Sequence, residues 1–242
     1  MESRGTASLA LAALLLALGA SVGGGLIGRG FRDARTADRF VNVRGLAEKL
    51  VKADVAIWTL QVSSGGNDLS RLQAKIDTDV QAIREFLVSG GLAEDDLRPQ
   101  RLEVQDVLAQ AWRSGPVGEA RYTVQQTLIV RTEKVDMLAA LGQRTGELVR
   151  RGVVLNDLGG PVFVFTKLNE IKPDMIAEAT RNARESAEQF AADSRSRIGG
   201  IHRATQGLFQ ILPRDESQAV TEQSQVEKKV RVVTTMEYLL TE

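Results

Sequence analysis

The chain has no cysteine, a single histidine and no surplus of charge: among 242 residues, 31 are lysine or arginine and 31 are aspartate or glutamate. Without a thiol there is no disulfide framework, no cysteine nucleophile, no iron–sulfur cluster and no cysteine-ligated zinc. Every histidine-based triad or metal site would rest on His202 alone, just after Gly199-Gly200-Ile201 and without a nearby companion. It is read as structural. Balanced charge argues against nucleic acid, whose binders carry a basic excess or stripe. GxSxG, SxxK, HExxH, the Walker A loop and EF-hand spacing are also missing, so the sequence assigns no catalytic, cofactor-binding or metal-ligating residue. The absence of cysteine leaves the compartment open.

What is present begins with an uncharged run of twenty-four residues, Gly5 to Gly28, bounded by Arg4 and Arg29. As a helix at ~1.5 Å per residue it would span about 36 Å, enough for a hydrocarbon core of roughly 30 Å. Its densest apolar part, Leu9 to Leu18, has the size of a signal-peptide core, and Ala17-Leu18-Gly19 offers a small-x-small cleavage site. Residues 1–28 are thus a signal anchor or a signal peptide, and 29–39 a linker. Val22, Leu26 and Ile27 prolong the run past the cut and favour a retained anchor. Arg29, Arg32, Arg35 and Arg39 follow it, and the positive-inside rule reads them as placing the body in the cytoplasm, against the signal-like look of the segment. Gly23 to Gly28 matches GxGxxG literally, but these glycines end an apolar helix and lack the strand a dinucleotide site needs. Residues 1–39 hold five basic and three acidic side chains, which leaves 26 basic and 28 acidic in the body.

The body reads as α+β, with mixed, largely antiparallel sheets packed with about three helices over residues 40–242, either as one domain or as two interwoven sub-domains. Phe40–Val43 and Val51–Val62 are strands, the second apolar on both faces and therefore central. Asp68 caps a helix with Leu69, Leu72, Ile76, Val80, Ile83 and Leu87 at three- and four-residue spacing, ended by Gly90-Gly91. Leu92–Pro99 is an acidic connection, and Leu102–Gln110 and Tyr122–Arg131 form a hairpin around the loop Arg113–Gly118. One face of Tyr122–Arg131 is polar and meets solvent or a partner. A helix of about seventeen residues containing Met137 and Leu148 ends near Gly152, and Pro161–Thr166 is a short strand. Lys172-Pro173-Asp174 opens a helix to Ile198 whose inward stripe is Ala179, Ala183, Ala187 and Ala191, with Ile176 and Phe190 as its large members. Gly199-Gly200 stops it. Arg203–Leu212 is a strand, Pro213–Gln225 a mobile polar loop, and Val226–Leu240 a strand with Val230, Val232, Thr234, Met236 and Tyr238 on one side.

Other candidates for chemistry have simpler explanations. Glu94-Asp95-Asp96 reads as a solvated turn, because hard-cation cages take ligands from alternating positions. Arg181, Arg184, Arg195 and Arg197 on the long helix suggest an anion site, but Arg181 and Arg184 stand four residues before Glu185 and Glu188, and local ion pairs explain them more simply. Trp58 belongs to the core, and Trp112, beside a glycine-proline loop, is a candidate interface residue.

Val41-Asn42-Val43-Arg44-Gly45-Leu46-Ala47-Glu48, followed by Lys52-Ala53-Asp54-Val55-Ala56, resembles the opening of the SIMPL domain family, formerly DUF541. That opening is a short strand with a V-x-G motif, a polar break, then a proline-aspartate pair leading a strand. The alanine-striped helix and Gly199-Gly200-Ile201 resemble the family's late A-x-x-x-A helix and glycine turn. Ala53 stands where many members have proline, a difference expected to affect only local stiffness. The resemblance spans roughly residues 40–240. It implies a bacterial envelope protein with an N-terminal signal or anchor, ring- or barrel-like oligomers and a link to oxidative stress in some members. It implies no catalytic residues, no cofactor and no metal.

The expectation is a membrane-tethered, extracytoplasmic protein that forms homo-oligomers or binds partners rather than an enzyme, or a periplasmic one if the signal is cut. The alternatives are a small-ligand carrier or enzyme with a carboxylate/arginine site, and a cytoplasm-facing scaffold.

Overall fold

The computed structural model describes residues 17–28, 39–109, 120–157, 159–215, 217 and 220–241. Residues 17–28 form a helix, α1, and among the described residues no helix is long and apolar enough to cross a membrane. The rest of the expected anchor and the linker through Asp38 lie outside the described residues, as do the loop Arg113–Gly118 and Trp112. The fold is α+β with two antiparallel sheets, and the chain divides into two compact units.

One unit comprises Glu48–Met175 and Phe209–Arg231. Alternation along β2 (Val55–Gly66) buries Ala56, Trp58, Leu60 and Val62 and leaves Ile57, Thr59 and Gln61 only partly covered. This strand is central, as its apolar content predicts: the sheet order is β3-β4-β2-β5, with β6 also on β2. Helix α2 (Leu69–Ser89) packs on the buried face through Leu72, Ile76, Ile83, Phe86 and Leu87. Each such side chain contributes roughly 1.5–3 kcal/mol on leaving water. Its start is fixed by Asp68, whose carboxylate accepts the N–H groups of Ser70 and Arg71 at 3.0 and 3.3 Å. Asp79, buried on the same helix, is neutralised by Lys75 at 2.5 Å.

Several boundaries depart from expectation. β3 (Leu97–Asp106) starts inside the supposed connection, after a 3-10 turn at Glu94–Asp96. Pro99 is tolerated there because the strand lies at the sheet edge and bulges between Pro99 and Leu102. The hairpin with β4 (Tyr122–Thr132) is as expected. The helix expected to end near Gly152 is two, α3 (Val135–Gly142) and α4 (Gly146–Arg150). A Cβ on Gly142 would stand 2.8 Å from the Pro161 ring, so a bare backbone is needed where the helix breaks. β5 (Leu155–Asp157) and β6 (Val162–Val164) complete the sheet, the latter shorter than expected. The supposed mobile loop contains a 3-10 turn at Glu222–Ser224, tied down by the fully buried Lys228, which donates to the Glu222 carbonyl at 2.6 Å and pairs with its carboxylate.

The other unit comprises residues up to Ala47, Ile176–Leu208 and Val232 onward. β1 (Phe40–Lys52) is one strand of thirteen residues rather than a short strand and a break, since Asn42, Arg44 and Glu48 fall on alternate, exposed positions. In the sheet order β1-β9-β7, β9 (Glu227–Thr241) is central and buries Val232, Thr234, Met236 and Tyr238 as its alternation predicts. Helix α5 (Leu168–Asp193) lays Ala179, Ala183, Ala187 and Ala191 inward. Gly45 meets that stripe so closely that a Cβ on it would lie 1.8 Å from the Ala179 carbonyl oxygen. Asn182 donates to the Leu46 carbonyl at 2.7 Å beside this contact.

α5 begins one turn before Lys172, because the N–H that Pro173 lacks would have met Asn169 in the first turn and only one ladder bond is lost. Phe190 is exposed; the large buried residue of the helix is Met175, four before Ala179. The helix stops at Asp193, where Arg195 takes the left-handed conformation (φ 57°) and Ser196 N–H closes on Ala191 O at 2.8 Å. Gly199-Gly200 lie inside β7 (Arg197–Gln206) instead, where the register with β9 shifts and a Cβ on Gly199 would stand 3.3 Å from Leu239. The strand expected over Arg203–Leu212 breaks at Gly207, whose N–H binds Val233 O at 2.8 Å, and β8 (Gln210–Pro213) follows. Leu208, expected in a strand, is 90% exposed in that break.

Candidate functional site

The β3–β4 hairpin assembles a strongly charged concavity. In its register Arg98 stands opposite Ile129. Arg131, two residues on, shares that face, so the two arginines are diagonal neighbours about 7–8 Å apart at the backbone. This is the face away from Val124, Leu128 and Val130, which point to the core. Antiparallel pairing also brings the entry to β3 and the exit from β4 to one end of the sheet. Asp95 and Asp96 therefore meet Glu133 and Lys134 there, around a groove of about 680 Å³.

Local bonds set its walls. Asp96 accepts the Ala93 N–H at 3.2 Å and closes the 3-10 turn. Thr132 Oγ1 accepts the Lys134 N–H at 3.2 Å, and Lys134 Nζ donates to the Gly91 carbonyl at 2.8 Å. Arg98 and Arg131 are in no ion pair among the described residues and remain exposed. A smaller hollow of about 390 Å³ shares Glu133 and Lys134 and is bordered by Lys52, whose ammonium meets Asp136 at 2.5 Å. Chemically the groove offers anion and cation contacts side by side, with the apolar Ile129 and Val55 also in its lining.

The outer edge of β3 is a second feature. Among the described residues β3 pairs only with β4. The Val107 N–H donates to Arg121 O at 2.8 Å. Alternation then turns the N–H and C=O groups of Leu102, Val104 and Asp106 away from the sheet. Leu102, Val104 and Leu108 are exposed apolar residues on this strand and just after it. Asp106 is held below the usual carboxylate range by hydrogen bonds from Arg121, against a smaller opposing effect of desolvation. At the β1–β2 corner, burial pushes the Asp54 carboxyl up, but the Thr166 hydroxyl and N–H, at 2.5 and 2.6 Å, together hold it below its ordinary value.

The sequence candidates fall in different places. Asp95 and Asp96 of the acidic triplet line the groove, and no grouping of three metal-ligating side chains occurs among the described residues. His202 lies within β7, its ring stacked on Phe40 at 6.0 Å, rather than at a helix-to-strand turn. Arg184 pairs with Glu188 at 2.9 Å as expected, and Trp58 is core. Sequence reasoning passed over Arg98, Arg131, Glu133 and Lys134. The polar alternation of Tyr122–Arg131 was a signal for Arg131 alone.

The SIMPL family model, described as "Protein of unknown function (DUF541)", matches residues 41–238. No curated protein matches the chain. A hydrolase from Listeria innocua aligns at 14% identity over 80% of this chain and 91% of its own, with a TM-score of 0.21. An uncharacterized conserved protein from the same organism aligns at 13% identity over 76% and 90%, with a TM-score of 0.17. At those scores neither structure carries an argument about this one.

Proposed function

From the premise that the chain belongs to the SIMPL family, we propose that it is an envelope protein that acts by self-assembly or partner binding rather than by catalysis. In this reading its apolar N-terminal segment tethers it to the membrane, the body lies outside the cytoplasm, and the assembly serves a response to oxidative stress, as the family resemblance implies. The observation that supports it best is the outer edge of β3, a strand with outward backbone groups and exposed Leu102 and Val104. An open edge of that kind is a template for another chain. Light scattering on the detergent-solubilised full chain tests it: a strict monomer at tens of micromolar, with no partner recovered by crosslinking in the envelope, would sink the reading. A C-terminal alkaline-phosphatase fusion tests the side of the membrane, and an inactive fusion would favour a cytoplasm-facing scaffold.

The groove favours a second reading, a small-ligand carrier. Its volume lies in the range of small-molecule sites, and it gathers carboxylates and arginines from separate elements.

A further inference from the structure

We propose that the groove beside the β3–β4 hairpin binds a small zwitterion, an amino acid or short peptide with free amino and carboxyl ends; this rests on the small-ligand reading above. Three features of the groove select that class. Arg98 and Arg131 present two guanidinium groups from neighbouring strands on one face, without a carboxylate in ion-pair contact among the described residues. A guanidinium fork matches a carboxylate in two parallel hydrogen bonds, and an unpaired couple of them is a carboxylate receptor. Asp95 and Glu133 line the same groove and would repel an anion with no positive group of its own. A polyphosphate would bring several negative charges against three carboxylates, and a divalent cation would have to sit beside two arginines and Lys134. A ligand carrying one charge of each sign satisfies both walls.

The apolar lining adds the third argument. Ile129 and Val55 also line the groove and add apolar surface to it, which suits the aliphatic side chain of a small peptide. Lys134 is committed to the Gly91 carbonyl, so the carboxylate contact falls to the two arginines. Because the groove is open to solvent, affinity should be modest, with a dissociation constant of about 0.1–1 mM.

The test is a titration of the detergent-solubilised full chain with three probes, dialanine, N-acetyl-dialanine and dialanine amide, followed by calorimetry or by the Ile129 methyl resonance. Dialanine is expected to saturate, and each blocked form to bind at least about tenfold more weakly, since each loses a charge-assisted hydrogen bond. Arg98→Ala and Arg131→Ala, both exposed and compatible with the fold, should weaken dialanine to a similar extent. If N-acetyl-dialanine binds as well as dialanine, and the arginine variants abolish both, the zwitterion class is overturned while the carrier reading stands. If no probe saturates by about 10 mM, the zwitterion proposal fails. Saturation unaffected by either arginine variant also overturns it, since the ligand is then elsewhere.

Discussion

The two units hold themselves together by opposite means. The unit around β2 fills its interior with large side chains: Trp58, Phe86, Ile76, Ile83, Leu138 and Leu148 are fully enclosed. The unit around α5 has a cluster of Val41, Ala183, Ala187, Met236 and Tyr238, and its helix and strand backbones approach each other across Gly45. In the first, stability comes from apolar area withdrawn from water. In the second, the buried cluster is smaller, and dispersion between closely set backbones and methyl groups adds to it. One should therefore be sensitive to losing atoms, and the other to gaining them.

The largest effect should come from Trp58→Ala, which opens a cavity in the centre of the β2 sheet and should cost about 3–5 kcal/mol in denaturant unfolding. Gly45→Ala adds a single methyl group to the other unit, yet should cost about 3 kcal/mol, because the new atom meets a carbonyl rather than a movable side chain. Hydrogen exchange would sharpen the contrast. The glycine variant should lose protection in α5 and the end of β9 while α2 keeps its own, and uniform loss in both units would break the comparison.

Smaller effects belong to the corner between β1 and β2. The Ala53 N–H donates to the Val226 carbonyl at 2.8 Å, a bond that proline cannot make. Ala53→Pro should therefore destabilise by about 1–3 kcal/mol by stranding that acceptor. The expectation that alanine here alters only stiffness is corrected by this bond, and an unchanged unfolding midpoint would restore it. The smallest effect is titration of Asp54. Its carboxyl is held below its unfolded value, so the stability it adds is present above the unfolded pKa and fades as pH falls through the folded one. Thermal unfolding of the wild type should decline more steeply than that of Asp54→Asn below about pH 4. Parallel curves would remove Asp54 from the account.

Sequence reached the features that depend on local period. The Asp68 cap, the spacing from Leu72 to Leu87 and the four alanines of α5 are each set within a few turns of chain, and all fall where expected. Signals with two physical meanings misled it. A Gly-Gly pair both ends helices and allows bulges, and at Gly199-Gly200 it is the bulge; Pro173 reads as a helix start but lies one turn inside. The groove was out of reach for a different cause. Arg98 and Arg131 become neighbours only through the β3–β4 register, which a bulge shifts by one residue, and no spacing along the chain encodes that.

Gly45 carries one consequence for genetics. A clash with a side chain can be relieved by a second, smaller side chain, and such pairs surface as intragenic suppressors. The atom facing Gly45 is a main-chain oxygen, and its other near neighbours include the Ala183 nitrogen and Cβ. No codon change at Ala179 removes a carbonyl, and only glycine is smaller than alanine at Ala183. A suppressor screen on a Gly45 mutant should therefore return true revertants almost alone, and the V-x-G motif would be kept in place by the lack of any second-site escape.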